Sequence, residues 1–283
     1  DVINRVASYG MDAIAITDHG TMYGVIEFYK TAKKKGIKPI IGCEVYVAPR
    51  SHLDKTPKID QEFYHLILLA KNDQGYKNLV KLVSIAHMDG FYYKPRIDKD
   101  LLRKYSEGLI ASSACIKGEI PNAVLSGNKE LAEKLAKEYG EIFGKDHFYL
   151  ELQHHPSLPQ QQVVNDALIE ISKKTGIPLI ATKDSHYLDP EDRKAQEVLL
   201  CLQTGKNMDD PTRMEIDADL SLPSEEIMRE HFGHIEGALE NTRKIADMCD
   251  LEIKMGELFL PNFPIPEGYT IESFLERDCY IGL

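Results

Sequence analysis

Short apolar runs alternate with amphipathic segments along the first 205 residues of the chain. The apolar runs have the length of strands, and the segments between them repeat apolar positions at helical spacing. The predicted strands are 13–17, 39–47, 66–70, 108–113, 148–152 and 178–182. The predicted helices between them are 23–35, 76–88, 129–143 and 161–174. Strands that recur about every 30 residues, with helices between them, are typical of βα units on a parallel sheet, and six such strands favour a barrel.

The pattern changes after residue 205. Residues 206–223 are polar and rich in turn formers, and helical patterns follow at 224–232 and 235–249. The segment LPNFPIP then predicts an extended linker, because each proline fixes φ and disfavours a helix before it. We therefore expect a barrel domain with C-terminal helices over 1–255, and a linker with the beginning of another domain over 256–283. Helical patterns that are cut at both ends suggest a fragment of a longer protein.

Composition and charge narrow the class of protein. Hydrophobic residues make up 43% and charged residues 28% of the chain, which is ordinary globular usage and excludes a disordered or collagenous protein. The net charge of −11 predicts no broad basic surface, so any DNA contact should be local, assisted by metal or supplied by a partner. Five cysteines without paired short spacing are neither a disulfide framework nor a zinc ribbon. The apolar runs are too short for a membrane span, so we expect a reduced cytoplasmic protein with no membrane contact.

Chemically active side chains follow several of the predicted strands. In parallel α/β folds the carboxyl ends of the strands meet at one face, where ligands bind. The residues at these ends are Asp18, His19, Glu44, Cys115, Asp184 and His186. Taken singly, each has an ordinary structural interpretation, such as a capping aspartate or a small buried cysteine. Taken together, this mixture of nitrogen, oxygen and sulfur donors favours a site for zinc or another divalent ion, in which a carboxylate could bridge two ions.

Three other features are ambiguous from the sequence. His65 precedes its apolar run, which places it at the wrong end of a parallel strand. His154 follows the strand 148–152, so we interpret it as part of the rim and a candidate substrate contact. Lys94 and Arg96 lie in the loop segment FYYKPR, where basic and aromatic residues alternate. Such a loop could stack on and pair with a nucleotide, or its side chains could simply pack the loop.

Several of these segments together resemble the PHP (polymerase and histidinol phosphatase) domain. They are AITDHG at 15–20, GIKPIIGCE at 36–44, YHL at 64–66, SACIKGE at 113–119 and TKDSHY at 182–187. Three more segments narrow the resemblance to the PHP domains at the N-terminus of bacterial replicative DNA polymerases, the alpha-subunit family of the DNA polymerase III type. These are NDQGYKNL at 72–79, YLELQ at 149–153 and FLPNF at 259–263.

The resemblance implies a distorted (β/α)7 TIM-like barrel that holds up to three divalent ions at its carboxyl face. His19 and His186 would bind one ion, and Glu44, His65 and Cys115 a second; Glu44 and Asp184 would share in the third. Asp18 and Asp184 are the candidate catalytic carboxylates. The resemblance thus places His65 in the site, against the strand-end argument. The family's first motif, His-x-His, would lie upstream of Asp1, so we expect the barrel to lack its first strand and the site to be incomplete.

The resemblance also implies a function. The parent would be a DNA-directed DNA polymerase, and this chain alone at most a metal-dependent phosphoesterase with a 3′–5′ exonuclease role. Zinc is the expected ion, with manganese and magnesium as alternatives. The expected partners are DNA through the parent polymerase, a proofreading exonuclease and a sliding clamp. Two alternatives stay open: a free-standing phosphatase of the histidinol-phosphatase type, and a non-catalytic scaffold that docks a proofreading exonuclease.

Overall fold

A computed structural model of the chain describes residues 1–215, 217–258 and 260–283. The described residues form two compact units, Asp1–Glu252 and Ile253–Leu283. Phe259, which begins the FLPNF segment, lies outside the described residues. No helix of the described part is both long and apolar enough to cross a membrane.

The first unit alternates strands and helices as the sequence pattern predicts. Its strands are β1 (Ala13–Ile16), β2 (Lys38–Val47), β3 (Tyr64–Ala70), β4 (Phe91–Tyr92), β5 (Lys94–Ile97), β6 (Leu109–Ser112), β7 (Phe148–Gln153) and β8 (Leu179–Thr182). Its helices are α1 (Val2–Ser8), α2 (Val25–Lys34), α3 (Asp73–Met88), α4 (Lys99–Tyr105), α5 (Glu119–Leu125), α6 (Lys129–Phe143), α7 (Pro159–Thr175), α8 (Arg193–Thr204), α9 (Glu225–Phe232) and α10 (Glu240–Met248). A 3₁₀ turn, Pro190–Asp192, precedes α8.

The strands form one curled sheet, a half-barrel, with the order β1-β2-β3-β6-β7-β8. The predicted α/β class and barrel-like curl are therefore confirmed. Strands β1 and β2 are parallel, and so are β6, β7 and β8. Strand β3 is antiparallel to both of its neighbours, β2 and β6, so the prediction of a uniformly parallel sheet was wrong at this strand. A short hairpin, β4–β5, joins the end of β2 through parallel pairing of β5.

Several helices begin at side-chain caps or end at residues whose backbone is in the left-handed conformation. The Asn72 side chain accepts a hydrogen bond from Gly75 N at 3.0 Å and begins α3, while the Asp98 side chain accepts one from Leu101 N at 2.9 Å and begins α4. Helix α7 ends at Gly176, whose φ of 74° is a conformation that glycine adopts with little strain. These local signals fix the lengths of the helices that return the chain to the next strand.

The floor of the half-barrel is apolar and is closed by α10. Strands β2, β3, β6, β7 and β8 each contribute one residue to a single hydrophobic cluster. Ile245, Ala246 and Cys249, from α10 and the residue after it, complete that cluster. The sheet residues in it are Ile40, Leu69, Ile110, Tyr149 and Ile180. With its floor filled, the half-barrel leaves the carboxyl ends of its parallel strands as the open face.

The second unit contains one helix, α11 (Ile271–Gly282), which begins with a capping box between Thr270 and Ser273. The Phe263 and Phe274 rings lie 5.8 Å apart, and the Arg277 guanidinium lies 4.6 Å from the centre of the Phe274 ring. The assignment of 256–283 as a linker and the start of a following domain remains a prediction.

Candidate metal centre

Residues from five strands or the loops after them converge at the open face. His19 follows β1, Glu44 lies in β2, His65 lies in β3, Cys115 follows β6, and Asp184 follows β8. Backbone bridges join His19 to Glu44 and His65 to Gly118, which brings these segments side by side. A cavity of about 720 Å³ opens here inside the curl of the sheet. Its polar lining includes Asp18, His19, Glu44, Glu151, Asp184 and His186.

Glu44 is the centre of the cluster. Its carboxylate is buried, and Oε1 contacts His65 Nδ1 and lies 3.7 Å from His19 Nδ1. The Sγ atom of Cys115 lies 3.6 Å from His65 Nδ1. Donor atoms of His19, Glu44 and His65 all lie within 4.8 Å of one another, which is close enough for one ion to contact all three. The structure therefore groups His19 with Glu44 and His65, whereas the resemblance assigns Glu44, His65 and Cys115 to one ion and His19 to another.

His186 extends the cluster on the side of His19. Its Nδ1 donates a hydrogen bond of 2.8 Å to the Asp184 carbonyl, so Nε2 carries the lone pair of the neutral ring. That nitrogen faces His19 Nε2 at 3.5 Å. A carbonyl that fixes the tautomer and the orientation of an imidazole is the usual support of a metal-binding histidine.

Two residues of the centre have a strained backbone. Ala114, directly before Cys115, has φ 58°, and Asp184 has φ 57°. A left-handed conformation at a non-glycine residue costs about 1–3 kcal/mol and is concentrated at functional sites. At Ala114 this conformation accompanies the turn that brings the following thiol beside His65.

The electrostatics of the centre favour a cation. Burial raises the pKa of Glu44, Asp184 and the Cys115 thiol above their usual ranges, and burial lowers the pKa of His65 to about 4. Among the described residues, Glu44 Oε1 contacts the His65 and His19 rings without a regular hydrogen bond to either. A divalent cation would compensate the charge of these donors. The residues present therefore fit a divalent ion.

Glu151, a polar residue inside the half-barrel, was not among the predicted site residues. Glu151 is buried and lines the cavity, where its carboxylate accepts hydrogen bonds from Ser112, Thr182 and Gln153. Burial raises the pKa of this carboxyl group. The only signal in the sequence is a glutamate at the centre of an apolar strand, which by itself does not distinguish an inward from an outward position.

The predicted substrate contacts have different environments. The Lys94 ammonium lies 5.6 Å from the centre of the Tyr46 ring, beside the metal centre. The centre of the His154 ring lies 3.6 Å from that of His231 in α9, with the two rings tilted by 32°, and the His154 carbonyl lies 3.5 Å from Lys183 Nζ. The Arg96 side chain is instead fully buried, which argues against its predicted contact with a substrate. Its guanidinium donates hydrogen bonds to the carbonyls of His52, Asp54, Asp60 and Gly90.

Comparisons with known proteins agree with the resemblance seen in the sequence. DNA polymerase III subunit alpha of Borreliella burgdorferi is 46% identical to the whole chain, which covers 25% of that protein. The subunits of Treponema pallidum and Thermus aquaticus are 42% and 43% identical over 100% and 96% of the chain, which covers 24% and 23% of their lengths. The chain thus spans about a quarter of these relatives.

Among solved structures, an amidohydrolase from Chromobacterium violaceum aligns with 65% of the chain and 79% of its own, with a TM-score of 0.38 and 14% identity. A likeness this remote carries no argument about the site. The model of the PHP domain family matches residues 1–155. Because that match covers more than half of the chain, the chain belongs to the PHP domain family.

Proposed function

We propose that this chain is the PHP region of a bacterial replicative DNA polymerase alpha subunit, and that it hydrolyses phosphodiesters at the 3′ end of DNA. The observation that carries the proposal is the buried Glu44 carboxylate, which lies between the His65 and His19 imidazoles with all three donor groups within 4.8 Å of one another. A cluster of this kind, open to a cavity of about 720 Å³, is suited to a metal-dependent hydrolase.

Zinc is the ion that this donor set favours. Glu44, His65 and Cys115 offer oxygen, nitrogen and sulfur, and a thiolate with an imidazole selects zinc over magnesium. His19 and His186 would hold a second ion, and Glu44 and Asp184 would contribute to a third. When bound, a divalent ion would lower the pKa of water and polarise the phosphate.

The residues of the chain supply the proton chemistry in this proposal. Asp18 and Asp184 line the cavity, and burial raises the pKa of both carboxyl groups. A carboxylate whose pKa is nearer to neutral accepts a proton from an attacking water more effectively. The hydrogen bond from His186 to the Asp184 carbonyl holds these two neighbours in a fixed relation.

The rest of the proposed function belongs to the parent polymerase. Nucleotide addition would require domains other than this one, and residues 256–283 would lead into the next of them. DNA, a proofreading exonuclease and a sliding clamp are the proposed partners, in the cytoplasm. The net charge of −11 agrees with a region that relies on the rest of the polymerase to hold DNA.

The test uses the complete polymerase subunit that contains this chain, a single strand labelled at its 5′ end, and added zinc, manganese or magnesium. We expect stepwise shortening from the 3′ end that requires metal. Asp184→Asn should abolish it, and asparagine tolerates the left-handed backbone at this position. Asp210→Asn, a change far along the chain in the polar segment 206–223, is the control that should retain it. If the strand is not shortened with any of the three metals, the result would favour the non-catalytic scaffold. Faster hydrolysis of a phosphate monoester than of the strand would favour the phosphatase.

A further inference from the structure

The β4–β5 hairpin presents aromatic side chains to solvent. Tyr93 lies at the turn between the two strands, and its side chain is 64% exposed. Phe91, at the beginning of β4, is 51% exposed. Neither ring is part of the apolar floor of the half-barrel, so the core does not account for them.

The hairpin is fixed against the loop that carries His19. Pro95 and Tyr46 contact Gly20 so closely that a Cβ atom built there would lie 2.9 Å from each of them. The His87 ring, at the end of α3, donates a hydrogen bond of 2.9 Å to the Gly20 carbonyl. The hairpin therefore has a defined position next to the candidate metal centre.

The backbone of Tyr93 is strained. Its φ of 62° lies in the left-handed region, where hairpin turns usually have glycine or asparagine. The ring is nevertheless held in place, because Gln61 Nε2 donates a hydrogen bond of 3.1 Å to the tyrosine hydroxyl and the Tyr92 ring meets it edge-on at 4.7 Å. A bulky, exposed side chain on a strained backbone is typical of a residue that contacts a ligand.

Lys94, the next residue, adds a positive charge near the metal centre. Its ammonium lies over Tyr46, whose ring is nearly parallel to that of His19, with 6.3 Å between their centres. In the described part of the chain, no carboxylate lies within ion-pair distance of Lys94 Nζ. Its charge also contributes to lowering the pKa of His19 and His65, after the larger effect of burial.

We propose that Tyr93 stacks on an unpaired base and that Lys94 contacts the neighbouring phosphate of a single-stranded DNA end bound at the metal centre. An exposed aromatic ring beside a cation is the usual arrangement for binding single strands without sequence preference. This inference rests on the proposed function and specifies how the DNA end is held, by a stacked base and a phosphate contact beside the metal centre.

The test measures the affinity of the complete subunit for a fluorescein-labelled oligothymidylate and for an abasic strand of the same length, by fluorescence anisotropy. Tyr93→Gly should weaken oligothymidylate binding by about 10-fold and change abasic binding little, because the ring contacts the base. Tyr93→Trp should retain the affinity. Lys94→Gln should weaken binding of both strands and reduce its dependence on salt.

Two features make the outcome decisive. Glycine suits the backbone at position 93, so Tyr93→Gly should unfold in urea no earlier than the unaltered protein. Tyr280→Ala, which removes a tyrosine that is 72% exposed in α11, is the matched control and should bind both strands normally. Equal affinity of the unaltered protein and Tyr93→Gly for oligothymidylate would overturn the proposal.

A separate assay distinguishes this inference from the proposed function. Bis(p-nitrophenyl) phosphate is a phosphodiester without a base, so its metal-dependent hydrolysis by the unaltered subunit tests the metal centre alone. Hydrolysis together with an unchanged affinity of Tyr93→Gly overturns only the stacking. Absence of hydrolysis together with the selective loss at Tyr93 overturns the catalytic function and supports the DNA-binding hairpin.

Discussion

His65 and Glu44 contact each other across an antiparallel pair of strands. His65 pairs with Tyr46, and Glu44 pairs with Ile67, so their side chains are diagonal neighbours on one face of the sheet. Because β3 runs against β2, the beginning of β3 lies at the edge where the parallel strands end. The relationship explains how a histidine before an apolar run reaches the metal centre.

Glu44→Gln should separate two effects of the buried carboxylate: its destabilisation of the metal-free protein and its contribution to metal binding. Without metal, the variant should be at least as stable as the unaltered protein, because a neutral amide replaces a buried group whose charged form is disfavoured. Zinc at 100 times its Kd should stabilise the unaltered protein by about 2.7 kcal/mol, and this gain should be lost in the variant.

Thermal unfolding with and without zinc measures both effects. Glu62→Gln alters an exposed carboxylate of the neighbouring loop and is the matched control, which should keep the full response to zinc. An equal zinc response in Glu44→Gln would show that Glu44 is not a ligand.

Cys115→Ser should remove a spectroscopic signal of the metal centre. Burial raises the pKa of this thiol, so it stays protonated at neutral pH until a metal displaces the proton. Cobalt added to the metal-free protein should therefore give a thiolate-to-cobalt charge-transfer band in the near ultraviolet. The band should be absent from Cys115→Ser and present in Cys279→Ser, which changes an exposed cysteine. A band that persists in Cys115→Ser would assign it to another thiol.

Much of the fold could be predicted from hydrophobic periodicity. The pattern located β1, β2, β3, β6, β7 and β8 to within a few residues, because each contains a short apolar run, and all of them except β1 are mostly buried. It did not locate β4, which has two residues, or α4 and α5, which have seven each, since so few positions define no period. The direction of β3 could not be predicted either, because an apolar run has the same pattern in a parallel and in an antiparallel strand.

The candidate site shows a similar division. Residues such as His19 and His186 could be found from their positions after strands. His65 was placed by the resemblance alone, since the strand-end rule assumes parallel strands. Arg96 shows the opposite failure: a basic residue among aromatic ones suggested a nucleotide contact, but its burial depends on carbonyls more than thirty residues away in the sequence.

Arg96→Lys should destabilise the protein almost as much as Arg96→Ala. The planar guanidinium donates to four carbonyls at once, including those of Asp54 and Asp60 at 2.7 Å each, and a lysine ammonium cannot reproduce that fork. Leaving buried carbonyls without donors should cost about 3 kcal/mol or more. Urea unfolding measures the loss, and Lys94→Ala, two positions earlier, should stay within about 0.5 kcal/mol of the unaltered protein. A small effect of Arg96→Lys would show that one charge suffices.

Acid should destabilise the loop between β2 and β3. The Asp60 carboxylate accepts hydrogen bonds from Arg50 at 2.7 and 2.9 Å and from Thr56 N at 2.8 Å. Hydrogen bonding to Arg50 is the main reason why its pKa is lowered from 3.8 to about 2. Since the folded protein holds this proton less tightly than the unfolded chain, Asp60 stabilises the fold above pH 3.8, and the contribution is lost as the pH falls toward 2.

Asp60→Asn should therefore lower the free energy of unfolding at neutral pH, and its difference from the unaltered protein should shrink as the pH falls from 3.8 toward 2. Urea unfolding across this range measures the difference, with Glu62→Gln as the control from the same loop. Gln61, the next residue, bonds to Tyr93, so the same variant should also loosen the exposed ring at the hairpin turn. A difference that stays constant down to about pH 2 would mean that the ion pair with Arg50 does not stabilise the loop.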